Sequence, residues 1–267
     1  MDFLAYLRNN IIMHAIVISG VLGEERIDLV LRITSLLRLQ APLEMDWAKL
    51  EELRPAGRAI LSLWADLQWE YQTPCIHRNV PAWLKALHLP FIENKRPTKL
   101  ETSAHTGRAT THWGFCSEGG IDLRYLPVLQ AQTNLFGEDH AFAIQLVLNE
   151  LMQNAVDHSS AERYYYYFGL HENEIHLGML DMGVSLPAKL EQHYDFEDDL
   201  EALEMSFKLG VTTRRMRKGG LGLNHTFEMV KDRLGKLVIV SRDAQLRRYF
   251  SQRKVYRHVL KDRLHGT

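Results

Sequence analysis

The stretch from Gly137 to His158 most narrows what this chain can fold into, because its apolar residues Ile144, Leu148, Leu151, Met152 and Ala155 recur at three- and four-residue steps. That is the period of a helix face, so the segment is expected to be a helix buried along one side. On a neighbouring row Glu150 and Asn154 stand one turn apart, with Asp157 near the end of the next turn. An acid, an amide and a second acid projecting in one direction beside an apolar stripe need partners, since a carboxylate is costly to bury unless it is hydrogen-bonded or coordinated. A divalent cation with its water shell would serve, and a phosphate-bearing ligand could bring it. Taken alone, the row is equally a solvated face of an amphipathic helix.

Two later stretches bear on that choice. Tyr164–Leu170 and Ile175–Leu180 read as two strands joined by a turn at His171–Glu174, and the second strand ends at Asp181, followed by Gly183. A carboxylate at that strand end can accept a hydrogen bond from an exocyclic amine, and the glycine lets a ligand or backbone come close. Further on, Gly210-Val-Thr-Thr213 and the basic residues Arg214, Arg215, Arg217 and Lys218 precede Gly219-Gly-Leu-Gly222-Leu and a helical Asn224–Leu234. Glycines ahead of a helix let amide N–H groups face an anion at the positive end of its dipole, so this is read as a phosphate loop. Each stretch alone is more often an ordinary turn or a helix entry.

Together, Glu-x-x-x-Asn-Ala on a helix, Asp-x-Gly after a hairpin strand, and Gly-x-Thr-Thr with Gly-Gly-Leu-Gly-Leu before another helix resemble the ATP-binding domain of the GHKL superfamily. Gyrase, Hsp90-type chaperones, MutL, histidine kinases and the anti-sigma serine kinases share that domain. The resemblance runs from about Thr102 to the end of the chain. It implies ATP and Mg2+ as ligands, with Glu150 polarising a water or a substrate hydroxyl and Asn154 coordinating the magnesium. Asp181 would hold the adenine amino group, Gly183 would line the adenine pocket, and Thr212, Thr213, Gly219, Gly220 and Gly222 would cradle the phosphates. Asp157 is grouped with these nucleotide-binding residues, and the basic run would belong to the ATP lid. One departure stands out: the family's Asp-x-Gly-x-Gly ends here in Ser185. An acid in the place of Glu150 matches the hydrolysing and serine-phosphorylating members more than many histidine kinases.

In the N-terminal third, Met13–Ser19 reads as a strand, Glu24–Leu39 as a helix and Leu43–Trp47 as a short strand. Ala56–Tyr71 reads as a helix with Ile60, Leu63, Trp64 and Leu67 on one face, then Cys75–His77 as a strand and Val80–Leu87 as a helix with Pro81 in its first turn. Strands alternating with helices predict a small α/β sheet. Asp46 at a strand end, Gly57 opening a helix and Asn79-Val-Pro81 before a short helix resemble the STAS family of anti-anti-sigma-like domains, over about residues 11–93. In switching members of that family a Ser or Thr just before the glycine is phosphorylated; here that slot is Ala56. Trp47, Trp64 and Trp69 are assigned to core and helix packing.

The expected architecture is therefore α/β throughout, with a STAS-like domain over 1–95 and a GHKL-type (Bergerat) α/β sandwich over 96–267. Glu93–Ser103, which loses periodicity and gains charge and a proline, is the linker candidate. The acidic run from Glu191 to Glu204 is either a mobile lid or a solvated loop and helix. Lys236–Ser241 reads as a strand, and the alternation from Tyr249 to Val259 suggests an outer strand with a basic face.

Composition narrows the function classes. Lys plus Arg is 32 against 33 for Asp plus Glu, so no overall field draws the chain to nucleic acid or an acidic membrane. The apolar run Ile11–Leu22 has neither the basic leader nor the cleavage site of a signal peptide and is too short to span a bilayer. Cys75 and Cys116 lack metal-knuckle spacing, which fits a reducing cytosol, and the loose grouping His105, His112 and Cys116 has no second cluster to complete a zinc site. A cytoplasmic signalling protein is expected, acting on a protein partner as a Ser/Thr kinase, an ATP-gated switch or an assembly ATPase, and possible as a homodimer.

Overall fold

The computed structural model describes residues 13–95, 109–115, 121–160, 163–171, 173–208, 211 and 222–264. It is mixed α/β and contains a parallel sheet. That sheet has the order β1 (His14–Leu22), β2 (Leu43–Leu53), β3 (Cys75–Arg78), with His14 opposite Leu43 and Leu43 opposite Cys75. Parallel neighbours need long crossovers, supplied here by α1 (Ile27–Arg38) and α2 (Pro55–Tyr71), which pack on one another. Ile16, Ile18, Met45 and Trp47 meet Ile33, Leu37, Ile60 and Trp64 in the core. The opposite face carries Ala15, Val17, Glu44, Asp46, Ile76 and Arg78, of which Ala15, Val17, Ile76 and Arg78 are exposed.

Strand β2 runs six residues past the expected Trp47, because Lys49–Leu53 pairs with Ser19–Leu22 of β1 through register shifts. The charges on that stretch conceal a strand whose partner, not its own pattern, extends it. The expected helix at Val80–Leu87 shortens to α3 (Ala82–Lys85), with Pro81 at its N-cap, and α4 (Pro90–Glu93) follows. Most of the linker candidate lies outside the described residues. Trp47 and Trp64 are fully buried as expected, whereas Trp69 is 45% exposed.

A second sheet is antiparallel, in the order β4 (Ala109–Phe115), β5 (Arg163–His171), β6 (Glu174–Asp181). After Arg163 its middle strand carries four tyrosines, Tyr164–Tyr167, and successive strand residues point to opposite faces. Tyr164, Tyr166 and Phe168 pack with Ile144, Leu148 and Met152 of α7 (Glu138–Asn154). Tyr165 and Tyr167 point the other way, into the cluster built around α2. Helix α2 is thus covered on two sides, and Pro55 through Leu67 is buried almost without a break. The expected single apolar face is half of the real one, since the second sheet lies on the rest.

Between β4 and α7 lie α5 (Leu126–Ala131) and α6 (Thr133–Phe136), and after β6 come α8 (Leu186–Leu190) and α9 (Asp199–Met205). Helix α10 (Gly222–Asp232) packs on α7 and leads into a hairpin of β7 (Lys236–Tyr249) and β8 (Lys254–Leu264). The alternation expected to form one strand from Tyr249 to Val259 is divided by a turn at 250–253, where Arg253 has a φ of 54°. Leu203, Phe207, Ala244 and Leu246 form a third core beneath this hairpin. Among the described residues no helix is long and apolar enough to cross a membrane.

Candidate functional site

Helix α7 is preceded by Gly137 at its N-cap, whose φ of 82° suits glycine, and places Glu138 and Asp139 in its first turn where the helix dipole favours acids. Its apolar stripe faces the tyrosine strand, and this orientation leaves Glu150 and Asn154 half-buried on the flank. Among the described residues nothing hydrogen-bonds the Glu150 carboxylate. Asn154 is more telling: its Nδ2 is buried and has no hydrogen-bond partner among the described residues. A buried amide nitrogen left unpaired costs about 1–3 kcal/mol, so a ligand group that bonds it would gain on that scale. A half turn of the amide exchanges oxygen for nitrogen, so the side chain can offer an acceptor to a cation or a donor to a phosphate.

After Asn154 the helix widens into a π turn, Ala155–Ser159, which ends at Ser160 with a φ of 53°. This departs from the regular period assumed for the Glu150–Asn154–Asp157 row. Asp157 is exposed and accepts 2.8 Å from Gln153 Nε2, so it is held along the surface of the helix. The π turn has a second consequence: the Ser159 carbonyl leaves the helix and accepts a hydrogen bond from Val184 N–H. That contact docks the turn after β6 directly onto the end of α7.

Asp181, at the end of β6, is 5% exposed and pairs across the sheet with Tyr164. Its Oδ1 accepts 2.9 Å from the Gly183 N–H, which curls the chain back over the strand end. Gly183 is required for a local reason the sequence did not show: a Cβ there would lie 1.8 Å from the Ser159 carbonyl oxygen. Glu150, Asn154, Asp181 and Gly183 therefore belong to one continuous structure, the flank and end of α7 with the turn that abuts it. Gly222 begins α10, which packs on α7. Thr212, Thr213, Gly219 and Gly220, with the basic run Arg214–Lys218, lie outside the described residues, as do His105 and Cys116.

Ser185, the departure from the expected glycine, has a definite place. Its Oγ accepts from Ala188 N–H at 3.4 Å as the N-cap of α8, and from Arg242 Nε at 3.0 Å. Arg242 also grips Glu191 at 2.6 Å and Asp199 at 2.9 Å through Nη1. The acidic run is therefore not simply a solvated loop: Asp198 caps α9, Ala202 and Leu203 are buried, Arg242 ties Glu191 and Asp199 to β7, and Arg248 and Arg257 hold Glu204. Nothing in the sequence singles out Arg242; a lone cation 43 residues after Asp199 becomes visible only when the chain folds.

On the α7 side of the sheet, Asp122 collects the tyrosines. Tyr166 OH donates to its Oδ2 at 3.1 Å, Arg124 pairs with both oxygens, and its own N–H donates to Tyr164 OH at 2.9 Å. Tyr125 OH donates to Asn149 Oδ1 at 2.7 Å, and burial with the nearby Asp122 charge pushes its phenol up to about 12. These bonds fix α7 relative to β5 from the residue just before Glu150. Among the described residues no group of three or more His, Cys, Asp and Glu is arranged to hold a metal ion. Magnesium does not require one, because it keeps several waters and takes one or two protein ligands plus substrate phosphates. Comparison of the chain with protein-family models, with curated proteins and with solved structures gave no match.

Proposed function

We propose that the chain binds ATP with magnesium at the flank of α7 and acts as an intracellular signalling protein, in which a GHKL-type ATP site is fused to a STAS-like N-terminal unit. The observation that carries the reading is the buried amide nitrogen of Asn154, which has no hydrogen-bond partner among the described residues, one turn from Glu150 and beside a turn that Asp181 and Gly183 hold against the end of the same helix. Asn154 fits as a magnesium ligand, Asp181 as acceptor for the adenine amine, and Thr212, Thr213, Gly219, Gly220 and Gly222 as phosphate contacts. Bound ATP would supply a transferable phosphoryl group. Glu150 would take the proton from a hydroxyl aligned with it, either of water or of a partner serine or threonine. The preferred partner chemistry is a protein hydroxyl, because a STAS-like unit lacking its own phosphorylatable residue at Ala56 leaves the acceptor to another chain.

Calorimetry with Mg-ATP on the wild type, Asn154→Ala and Asp181→Asn tests the pocket. Binding by the wild type that both variants lose is the expected result; a wild type that binds nothing under millimolar ATP removes the proposal. Glu150→Gln then separates the modes of action. A kinase loses transfer of labelled phosphate to a partner, an ATPase loses steady phosphate release, and a nucleotide-gated switch keeps partner regulation with binding intact.

A further inference from the structure

Asp66 lies on α2, in the N-terminal unit, and is 6% exposed among Leu63, Trp64 and Leu67. A carboxylate in such surroundings persists only if its oxygens are bonded. One is bonded to Tyr165 OH at 2.6 Å and the other to Arg163 Nη1 at 2.9 Å. Both donors come from the first three residues of β5, 99 residues away in the case of the tyrosine. Burial and the Asp66 charge raise the Tyr165 phenol well above its ordinary range, so it remains an O–H donor at every working pH.

The register shows what this clamp holds. Arg163 and Tyr165 flank Tyr164, and Tyr164 is the cross-strand partner of Asp181. Asp181 is the last residue of β6, and beyond it the chain turns at once through Gly183 onto Ser159. The position of the Asp181 carboxylate is therefore set by the end of β5, and the end of β5 is set by Asp66 on one face and by Asp122 on the other. Asp122 comes from the same part of the chain as α7. Asp66 comes from the STAS-like unit.

We infer that Asp66 is a positioning residue for base recognition: through Arg163 and Tyr165 it holds Asp181 where it can accept the exocyclic amine of adenine, which makes the N-terminal unit part of the specificity of the nucleotide site. The inference rests on the ATP-site reading above. It gives the N-terminal unit a role in binding that needs no contact with the nucleotide. A hydrogen bond weakens steeply when its geometry departs from about 2.9 Å and linearity, so a modest displacement of the strand end is enough to lose it.

The test uses the full chain and two nucleotides that differ at the recognised position. Adenosine triphosphate presents an amine there; inosine triphosphate presents a carbonyl, to which a carboxylate acceptor has no hydrogen to donate. Asp66→Asn keeps the volume but places an amide donor against one of two donors, and Tyr165→Phe removes one donor while leaving Arg163 in place. Wild type should prefer adenosine triphosphate, and each variant should lose roughly tenfold of that preference while its affinity for inosine triphosphate stays within about twofold. A purely structural role would weaken both nucleotides together and leave their ratio intact. Folded variants that keep the wild-type ratio overturn the inference while leaving the ATP site standing. If Asp66→Asn does not fold, Tyr165→Phe gives the same ratio, and a wild type that binds neither nucleotide overturns the site and the inference alike.

Discussion

Gly183→Ala is the sharpest perturbation of the site, because its cost follows from main-chain geometry alone. The added Cβ would stand 1.8 Å from the Ser159 carbonyl oxygen, 2.4 Å from its carbon and 2.7 Å from its Cβ. Two of these atoms are backbone, so no rotamer change relieves the contact, and Ser159→Ala would not rescue it. A carbon and a carbonyl oxygen are comfortable at about 3.3–3.6 Å, so the turn and the end of α7 must part by about 1.5 Å. The hydrogen bond from Val184 N–H to Ser159 then breaks. Overpacking of this kind costs about 1–3 kcal/mol, and the lost bond about 1 kcal/mol more, for a total of about 2–4 kcal/mol. At this chain length that corresponds to a fall of about 5–15 °C in Tm, followed by far-UV circular dichroism. Asp181 would lose its docked turn as well, so ATP binding should weaken in whatever protein remains folded. A Gly183→Ala protein that melts within about 2 °C of the wild type would refute the apposition of β6 and α7 on which the site is built.

Three further outcomes are expected. Arg242→Ala should destabilise by about 2 kcal/mol and speed amide exchange across residues 186–205, since Ser185, Glu191 and Asp199 lose one shared partner; unchanged exchange there would contradict the assigned contacts. Burial lowers the His77 pKa from 6.5 to about 4, with the Trp47 indole N–H donating to its Nδ1 at 3.1 Å. Between those values the unfolded chain takes up a proton that the folded chain refuses, so stability should fall on the order of 3 kcal/mol as pH drops from 6.5 to 4. Urea midpoints for His77→Gln should show a flatter decline over that window, and an identical decline would assign the effect elsewhere. Burial also pushes the Cys75 thiol up to about 12, so site-resolved alkylation of the native protein at pH 8 should run about a thousandfold slower than for an exposed thiol; rapid labelling would mean that β3 is open.

Local period made much of the fold legible. Alternation and helical spacing place β1, α1, α2, β5, β6, α7 and α10 within a few residues, because each buries a face that its own sequence displays. What stayed hidden depends on residues far away. Lys49, Glu51 and Glu52 look like a loop until β1 extends β2. Asp66 looks like one solvated acid of a helix until Tyr165 arrives from the second sheet. Ser185 looks like a defect in a glycine pattern until Arg242 gives its hydroxyl a partner. In the candidate site, Glu150, Asn154 and Asp181 were readable as chemistry, but the π turn that moves Asp157 away and demands Gly183 has no periodic signature.

The strengths of these contacts rank the parts of the site by how freely they can move. Arg163, Tyr165 and Asp66 are partly or fully buried, and Tyr164 and Tyr166 are sealed against Asp122, so β5 is held on both faces by carboxylates in low-dielectric surroundings. A hydrogen bond to a charged group in such surroundings is worth about 1.5–3 kcal/mol. The polar contact at the start of the acidic run is weaker. Glu191 is half-exposed, and a pair open to solvent contributes about 0–1 kcal/mol and is screened by salt. A ligand shifts an equilibrium only by its difference in affinity for the two states, so with similar binding energy it moves the weakly held segment first. On the ATP-site reading proposed above, residues 191–199, tethered to β7 by Arg242, are therefore the segment a bound nucleotide would shift first, while Leu203 stays anchored in the third core and the tyrosine strand stays fixed.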